Sequence, residues 1–298
     1  MLKLPSFLLP LAILLLPACQ DQTQTTLSPP RPLVAFNAVP EPGEVPVTYE
    51  EFTYFVGQRE VKGYAALPAG EGPFPTIVYS RPGTYAGPRW NPGSVASVLG
   101  PLAAEGFAVL TYEIGRSNLD RWADHLGGDR DLEYLHHLLR ELSNYPRVDA
   151  RRVGLYGASR GGMMSLLAAR EDYSNVRAGA VLGAPTEFHD LVRFNPQMDS
   201  LLRELVPGYG PGNDAVLYDR SALSFVGELP PNMPWLILHG QADDRVPVRQ
   251  AEWLAEAFTE RGIPHELALY AGAGHMVTEQ RGEVVSRVAA FFRRELNR

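Results

Sequence analysis

A serine between two glycines separates a short apolar run from a helix-like run. Residues 157–161 read Gly-Ala-Ser-Arg-Gly, after the apolar run 153–156 and before the run 163–169. This order predicts a strand, a sharp turn with Ser159 at its tip, and a helix. Small residues two positions before and after the serine let strand and helix approach closely around a strained backbone. The five-residue pattern alone also arises by chance, so its context carries the prediction of a serine nucleophile.

Short apolar runs recur along the chain, and helical patterns follow them. The runs are 76–79, 107–110, 153–156, 178–182 and 235–238, with a last predicted strand at 265–270. This alternation predicts a mostly parallel central sheet covered by helices on both faces. Ahead of it, Tyr49 to Leu67 predicts antiparallel strands with a turn near Gly57. Ligands of an open α/β sheet bind at the carboxyl ends of its strands, and Ser159 is placed at such an end.

One long segment interrupts the alternation. Residues 186–233 separate two predicted core strands by far more than a usual connection, and they are rich in proline. Helices are predicted near 199–206 and 214–225. An insertion at this edge of the sheet predicts a lid or pocket wall above the site, and the alternative is a surface excursion without a role there.

The chain also supplies partners for a nucleophilic serine. A serine hydroxyl needs a base within hydrogen-bond distance, and the base needs an orienting carboxylate. The run 235–238 leads into a loop with Asp243 and Asp244, and the strand 265–270 leads into a glycine-rich loop that ends at His275. The order serine, acid, histidine suits a serine on a strand-to-helix turn. The predicted catalytic residues are therefore Ser159, Asp243 and His275.

Three motifs together resemble the catalytic domain of the prolyl oligopeptidase family and, in pattern, dienelactone-hydrolase-like esterases. They are Gly-Ala-Ser-Arg-Gly-Gly from Gly157, His-Gly-Gln-Ala-Asp-Asp-Arg-Val-Pro from His239, and Gly-Ala-Gly-His ending at His275. The resemblance covers about 61–296. It implies an α/β-hydrolase fold and a serine hydrolase that cleaves an ester or amide through an acyl-enzyme, without a cofactor. It also selects Asp243 over Asp244 as the acid, and His239 is expected to fix the turn before it.

Two N–H groups should face the negative charge that develops on the substrate oxygen. One is the backbone N–H of Arg160, directly after the nucleophile. The other is expected from the loop after the first core strand, where the family usually has His-Gly-Gly. Pro82 has no N–H, so Gly83 is the predicted donor, with Thr84 second. Tyr85 either contributes its hydroxyl or lines the pocket. Further candidates for selecting substrate at this mouth are Arg81, Arg89, Trp90, Glu113 and Arg116.

The first residues predict export rather than fold. Residues 1–18 read as a signal peptide, with one positive charge and a short apolar stretch. Cys19 then stands where a bacterial lipobox requires its lipidated cysteine. The proline-rich stretch 19–46 predicts a tether, and 47–298 predicts a single hydrolase domain. We therefore expect an exported, membrane-anchored lipoprotein; the alternative is an ordinary signal peptide and a secreted or periplasmic protein.

Composition narrows the function classes. The net charge is −7 and no basic cluster stands out, which argues against nucleic acid binding. No metal-binding spacing of histidine, cysteine or acidic residues is present, so no metal site is predicted. A single cysteine forms no intrachain disulfide. The expected partner is a small-molecule ester or a short peptide.

The same residues leave the substrate open. Larger members of the family carry a β-propeller before the hydrolase domain, and the residues ahead of about Thr76 leave no room for one. Oligopeptidase specificity is therefore in doubt. A carboxylesterase, a small serine peptidase and an acyltransferase remain alternatives, as does a non-catalytic binding lipoprotein on a hydrolase scaffold.

Overall fold

The computed structural model describes residues 27–33, 46–84, 87–114, 126–171 and 173–298. Within these ranges nine strands form one sheet in the order β1-β2-β3-β5-β4-β6-β7-β8-β9. The strands are β1 (Arg31–Pro32), β2 (Val47–Val56), β3 (Arg59–Pro68), β4 (Phe74–Ser80), β5 (Ala108–Tyr112), β6 (Val148–Ala158), β7 (Val176–Leu182), β8 (Trp235–Gly240) and β9 (His265–Tyr270).

Helices connect the strands. They are α1 (Pro92–Ala104), α2 (Asp129–Glu141), α3 (Arg160–Ala168), α4 (Phe188–Phe194), α5 (Gln197–Leu205), α6 (Ala222–Phe225), α7 (Arg249–Arg261) and α8 (Arg281–Leu296). Short 3-10 helices cover Leu142–Asn144, Ala215–Arg220 and Val226–Glu228. In the part of the chain that is described, no helix has the length and apolar character needed to cross a bilayer.

The mostly parallel sheet predicted from the alternating pattern is confirmed. Strands β5, β4, β6, β7, β8 and β9 run parallel to one another. At the other edge β2 and β3 form an antiparallel hairpin around Gly57, and β3 joins the parallel part through antiparallel pairing with β5. The carboxyl ends of β4, β6, β7, β8 and β9 therefore lie along one edge of the sheet.

Buried side chains form a separate core on each face. Ile77 and Leu236 pack in the core that includes α1 and α8, whereas their neighbours Val78 and Ile237 pack in the core that includes α2, α3 and α7. Successive residues of a strand point to opposite faces, so a continuous apolar run supplies both cores. This arrangement explains why the core strands show no alternation of polar and apolar residues.

The long connection between β7 and β8 is helical. Helix α5 matches the helix predicted near 199–206, and the 3-10 helix 215–220 with α6 occupies the segment predicted near 214–225. Helix α4 was not predicted, because seven residues are too few for a clear helical pattern. An ion pair of 2.9 Å between Asp190 of α4 and Arg249 of α7 attaches this connection to the helix after β8.

Candidate active site

Ser159 forms the turn between β6 and α3 in a backbone conformation that side chains rarely adopt. Its φ is 53° and its ψ is −123°, a region that costs about 1–3 kcal/mol for a residue other than glycine. A Cβ at Gly157 would lie 2.0 Å from the carbonyl oxygen of Gly161, and a Cβ at Gly161 would lie 1.9 Å from that of Ser80. The two glycines are therefore required for close approach, as the sequence pattern indicated.

The structure brings Ser159, His275 and Asp243 together at the carboxyl edge of the sheet. His275 Nε2 lies 2.8 Å from Ser159 Oγ, and His275 Nδ1 lies 2.7 Å from Asp243 Oδ2. With the serine O–H donating to Nε2 and the Nδ1–H donating to the carboxylate, the chain of hydrogen bonds is continuous. Asp243 and His275 are buried, whereas the neighbouring Asp244 is exposed.

Every oxygen of the Asp243 carboxylate has a donor. Oδ1 accepts the backbone N–H groups of Arg245 at 2.8 Å and Val246 at 3.0 Å. Oδ2 accepts from His275 and lies 3.1 Å from Nε2 of His239. That Nε2 is also 2.9 Å from the Val246 carbonyl oxygen, so it carries the hydrogen. The His239 side chain thus contacts the acid directly, which is more than the turn-fixing role expected from sequence.

These hydrogen bonds control the charge of Asp243. Burial raises the pKa of its carboxyl group, but hydrogen bonds from His239 and His275 and the N–H of Val246 outweigh burial and hold the pKa well below its usual range. The carboxylate is therefore charged at neutral pH, as an acceptor for the Nδ1–H of His275 needs to be.

A second close contact joins the loop of the acid to the loop of the base. A Cβ at Gly240 would lie 2.3 Å from the carbonyl oxygen of Gly274 and 2.4 Å from that of Ala273. The N–H of Ala242 also donates to the Ala273 carbonyl at 2.9 Å. Glycine after His239 therefore lets the loops that follow β8 and β9 pack directly on each other.

The loop after β4 contains Gly83, the predicted second oxyanion donor. Gly83 has a φ of 76°, is exposed, and makes no hydrogen bond with any described residue. On the other side of the turn, α3 begins at Arg160, so the N–H of Arg160 belongs to the positive end of that helix. Thr84 is half-buried, and Tyr85, like Arg116 and Cys19, lies outside the described residues.

The side chain of Arg81 holds this loop together through hydrogen bonds to its carbonyl oxygens. Its guanidinium donates to the carbonyl oxygens of Pro88 at 2.7 Å and Thr84 at 2.9 Å. Its charge faces Glu113 at 4.0 Å, and Glu113 accepts the N–H of Trp90 at 2.7 Å. Arg81 and Trp90 are buried and help to shape the loop, whereas Arg89, another candidate at this mouth, is exposed.

The side chain of Arg160 has a role that the sequence did not reveal. It forms a buried ion pair with Asp131 in the first turn of α2, and the same Asp131 oxygen accepts the N–H of Gly127 at 3.1 Å. The nucleophile turn is thus fixed to α2 as well as to the sheet. No residue spacing signals this pair, because charged residues near a helix start are usually solvated.

Beside the acid loop lies an open cavity of about 650 Å³. Its walls are the α4–α5 corner, residues 194–198 with Leu201, and the loop residues Asp244 and Arg245. The connection between β7 and β8 therefore borders the loop that carries Asp243. Among the described residues no group of histidine, cysteine or acidic side chains could hold a metal ion.

Known proteins resemble this chain in sequence and in fold. The model of the prolyl oligopeptidase family matches residues 95–298, more than half of the chain. An uncharacterized peptidase of Bacillus subtilis, YtmA, is 23% identical over 223 residues, which cover 74% of this chain and 84% of the relative.

Solved structures agree on the fold. Acylaminoacyl peptidase of Pyrococcus horikoshii superposes with a TM-score of 0.70 at 18% identity, covering 84% of this chain but only 42% of the other. An acetyl xylan esterase from Paenibacillus sp. R4 superposes with a TM-score of 0.66 at 16% identity, covering 91% of this chain and 90% of the esterase. The expected α/β-hydrolase fold is therefore confirmed, and the chain belongs to the prolyl oligopeptidase family of serine hydrolases.

Proposed function

We propose that the protein hydrolyses an ester or amide bond through an acyl-enzyme on Ser159. The observation that carries this proposal is the continuous hydrogen-bond chain from Ser159 Oγ through His275 to Asp243, with links of 2.8 and 2.7 Å. A purely binding role would need neither the strained serine nor the buried carboxylate behind the histidine.

In this mechanism His275 Nε2 takes the proton of Ser159 as Oγ attacks the substrate carbonyl carbon. Asp243 keeps the other ring nitrogen protonated and stabilises the imidazolium that forms. The same proton then passes to the leaving alcohol or amine, and an acyl-serine remains. His275 next deprotonates a water that attacks the acyl carbon, and the collapse of this second intermediate restores Ser159 and releases a carboxylic acid.

The developing oxyanion would accept the N–H groups of Arg160 and Gly83. The position of Arg160 at the start of α3 supports the first donor. The positive φ of Gly83, and the absence of any hydrogen bond to it from the described residues, support the second. Pro82 removes the neighbouring N–H, so the loop offers fewer alternatives than a His-Gly-Gly loop would.

Labelling by a fluorophosphonate tests the nucleophile. We expect covalent modification of the wild-type protein and none of Ser159→Ala, because only an activated serine displaces fluoride. Ser286→Ala, which removes an exposed hydroxyl of α8, serves as the control and should label like the wild type. Unlabelled wild-type protein, or a labelled Ser159→Ala variant, would refute the assignment.

We propose small acyl esters and short peptides as the substrate class. The relatives include proteins named as peptidases and one named as an esterase, which supports both an amine and an alcohol as the leaving group. Rates measured with short-chain nitrophenyl esters and with aminoacyl and prolyl anilides separate the two. Turnover of esters without turnover of anilides would exclude peptidase activity.

We further propose that Cys19 is lipidated and anchors an exported protein, on the strength of the signal-like sequence before it. Expression of the full chain in bacteria tests this by membrane fractionation. The wild type should partition with membranes and Cys19→Ser should be soluble, whereas equal partitioning of both would refute the anchor.

A further inference from the structure

A second, mainly apolar cavity of about 220 Å³ lies between α1 and α8. Its apolar walls include Val98 and Leu102 of α1 and Val284, Val285 and Val288 of α8. The helices belong to the face of the sheet opposite α2, α3 and α7. Neither Ser159 nor His275 lines this cavity, so it is not the space around the nucleophile.

Two buried tyrosines give the cavity a polar floor. Tyr79 is 5% exposed and Tyr156 is 8% exposed, their ring centroids are 5.3 Å apart, and both line the cavity. Neither hydroxyl has a hydrogen-bond partner among the described residues. Neither hydroxyl oxygen is fully enclosed by the protein, so a small molecule in the cavity can reach both. Two donors are therefore available to a ligand at the same end of an apolar space.

A positive charge lies beside the cavity that these two hydroxyls line. Arg281, the first residue of α8, lines the cavity and donates to the carbonyl oxygen of Ser97 on α1. Burial raises the pKa of both Tyr79 and Tyr156, and the charge of Arg281 acts on both in the opposite direction. The start of α8 adds the positive end of a helix dipole. Glu283 in the same turn is paired with Arg287 and does not line the cavity.

We propose that this cavity binds a short-chain aliphatic carboxylate, with its tail between α1 and α8 and its head on Tyr79, Tyr156 and Arg281. The volume suits such a ligand: a 150 Å³ cavity holds benzene, so 220 Å³ holds roughly nine non-hydrogen atoms. Ala158 and Met276 also line the cavity. Ala158 precedes Ser159 and Met276 follows His275, so an occupant would touch the chain neighbours of the nucleophile and the base.

Calorimetric titration of the whole protein tests the charge preference. Hexanoate should bind saturably with one site, and hexylammonium, with the same tail and the opposite charge, should bind at least about tenfold more weakly. Arg281→Gln should weaken hexanoate binding about tenfold, and the double substitution Tyr79→Phe with Tyr156→Phe should do the same. Arg287→Gln is the matched control, since it removes a charge from the same helix away from the cavity, and should bind like the wild type.

The location is tested by Val98→Phe, which fills the cavity from its half-buried wall. Hexanoate binding should disappear while the melting temperature and circular dichroism stay near those of the wild type. Unchanged binding by this variant, equal affinity for both head groups, or no saturable binding of hexanoate would overturn the proposal. None of these measurements involves turnover, so their outcome is independent of whether Ser159 is a nucleophile.

Discussion

The α-carbon of Gly161 lies directly against the carbonyl oxygen of Ser80, where a Cβ would be only 1.9 Å from that oxygen. Ser80 ends β4, and the loop with Gly83 begins there. The contact therefore fixes the distance between the nucleophile turn and the loop of the proposed second oxyanion donor. The relative position of the two proposed oxyanion donors therefore depends on the lack of a side chain at Gly161.

Gly161→Ala should disrupt this contact. Forcing a methyl group against a backbone carbonyl should lower the free energy of unfolding by about 3 kcal/mol or more and abolish most activity. Urea unfolding and ester hydrolysis measure the two effects. Gly282→Ala is the control, because a Cβ there meets open space; since alanine favours a helix more than glycine does, its stability should not fall. Equal losses in the two variants would contradict the steric explanation.

Comparing Asp243→Asn with Asp244→Asn should show which of the two neighbouring carboxylates orients His275. An amide in place of the carboxylate no longer holds His275 in the required tautomer, so kcat should fall about 10³–10⁴-fold with little change in KM. Asp244→Asn, next to it but exposed, should keep kcat within about twofold. Steady-state kinetics on a nitrophenyl ester decides; the reverse pattern would assign the acid to Asp244.

Stability should depend on pH through Asp243. The pKa of this carboxyl is lower in the folded protein than in the unfolded chain, so between the two values the unfolded chain binds more protons. The stabilisation that the charged Asp243 contributes therefore increases with pH through this interval. It is fully present above the ordinary carboxyl pKa of about 4 and is lost in stronger acid.

His239→Leu removes one of the donors that lower this pKa, so acid unfolding should begin at higher pH than in the wild type. His239→Gln keeps an N–H donor and should restore part of the difference. Urea unfolding between about pH 3 and 6 provides the measurement. His265→Leu, on β9 and away from Asp243, controls for the loss of an imidazole, and an equal shift in that variant would count against His239.

Replacing Arg81 should lower kcat, because its side chain holds the loop that contains Gly83. Arg81→Met loses both hydrogen bonds to loop carbonyls, so the Gly83 N–H is held less well and kcat should fall at least about tenfold. KM should stay nearly constant, and a boronate inhibitor should lose affinity by a similar factor. Arg89→Met changes an exposed arginine of the same segment; a matching loss there would show a general loop effect.

The buried pair of Arg160 and Asp131 should be costly to break from one side. Asp131→Leu alone leaves the guanidinium buried without this partner and should destabilise by about 3–5 kcal/mol. The combined Arg160→Met and Asp131→Leu variant should lose less than the sum of the single variants. A double-mutant cycle from urea unfolding measures the coupling, and additive losses would argue against a direct interaction.

Local patterns were sufficient to predict the strands of the sheet, except β1 inside the predicted tether, and to single out Ser159, Asp243 and His275. Each of these residues follows a short apolar run, and parallel strands carry their carboxyl ends to the same edge. The requirement for glycine at 157 and 161 could also be predicted, because it arises within one turn.

Contacts between distant segments could not be predicted in this way. The pairing of Arg160 with Asp131, the closure of the loop by Arg81, and the approach of Gly240 to Ala273 depend on how loops meet in space. Their residues are common on protein surfaces, so nothing in the spacing marks them. The cavity between α1 and α8 was missed for the same reason, since valines and tyrosines at those positions are typical core residues.

The close contacts at Gly161 and Gly240 lie on opposite sides of the pair formed by the nucleophile and the base. One joins β4 and β6 with the serine, and the other joins β8 and β9 with the acid and the base. The hydrogen bond from Ser159 Oγ to His275 Nε2 links the two sides across β7, which pairs with β8 at four residue positions. A side chain at either glycine would therefore displace one partner of this bond relative to the other and weaken the activation of the serine, without changing any catalytic side chain.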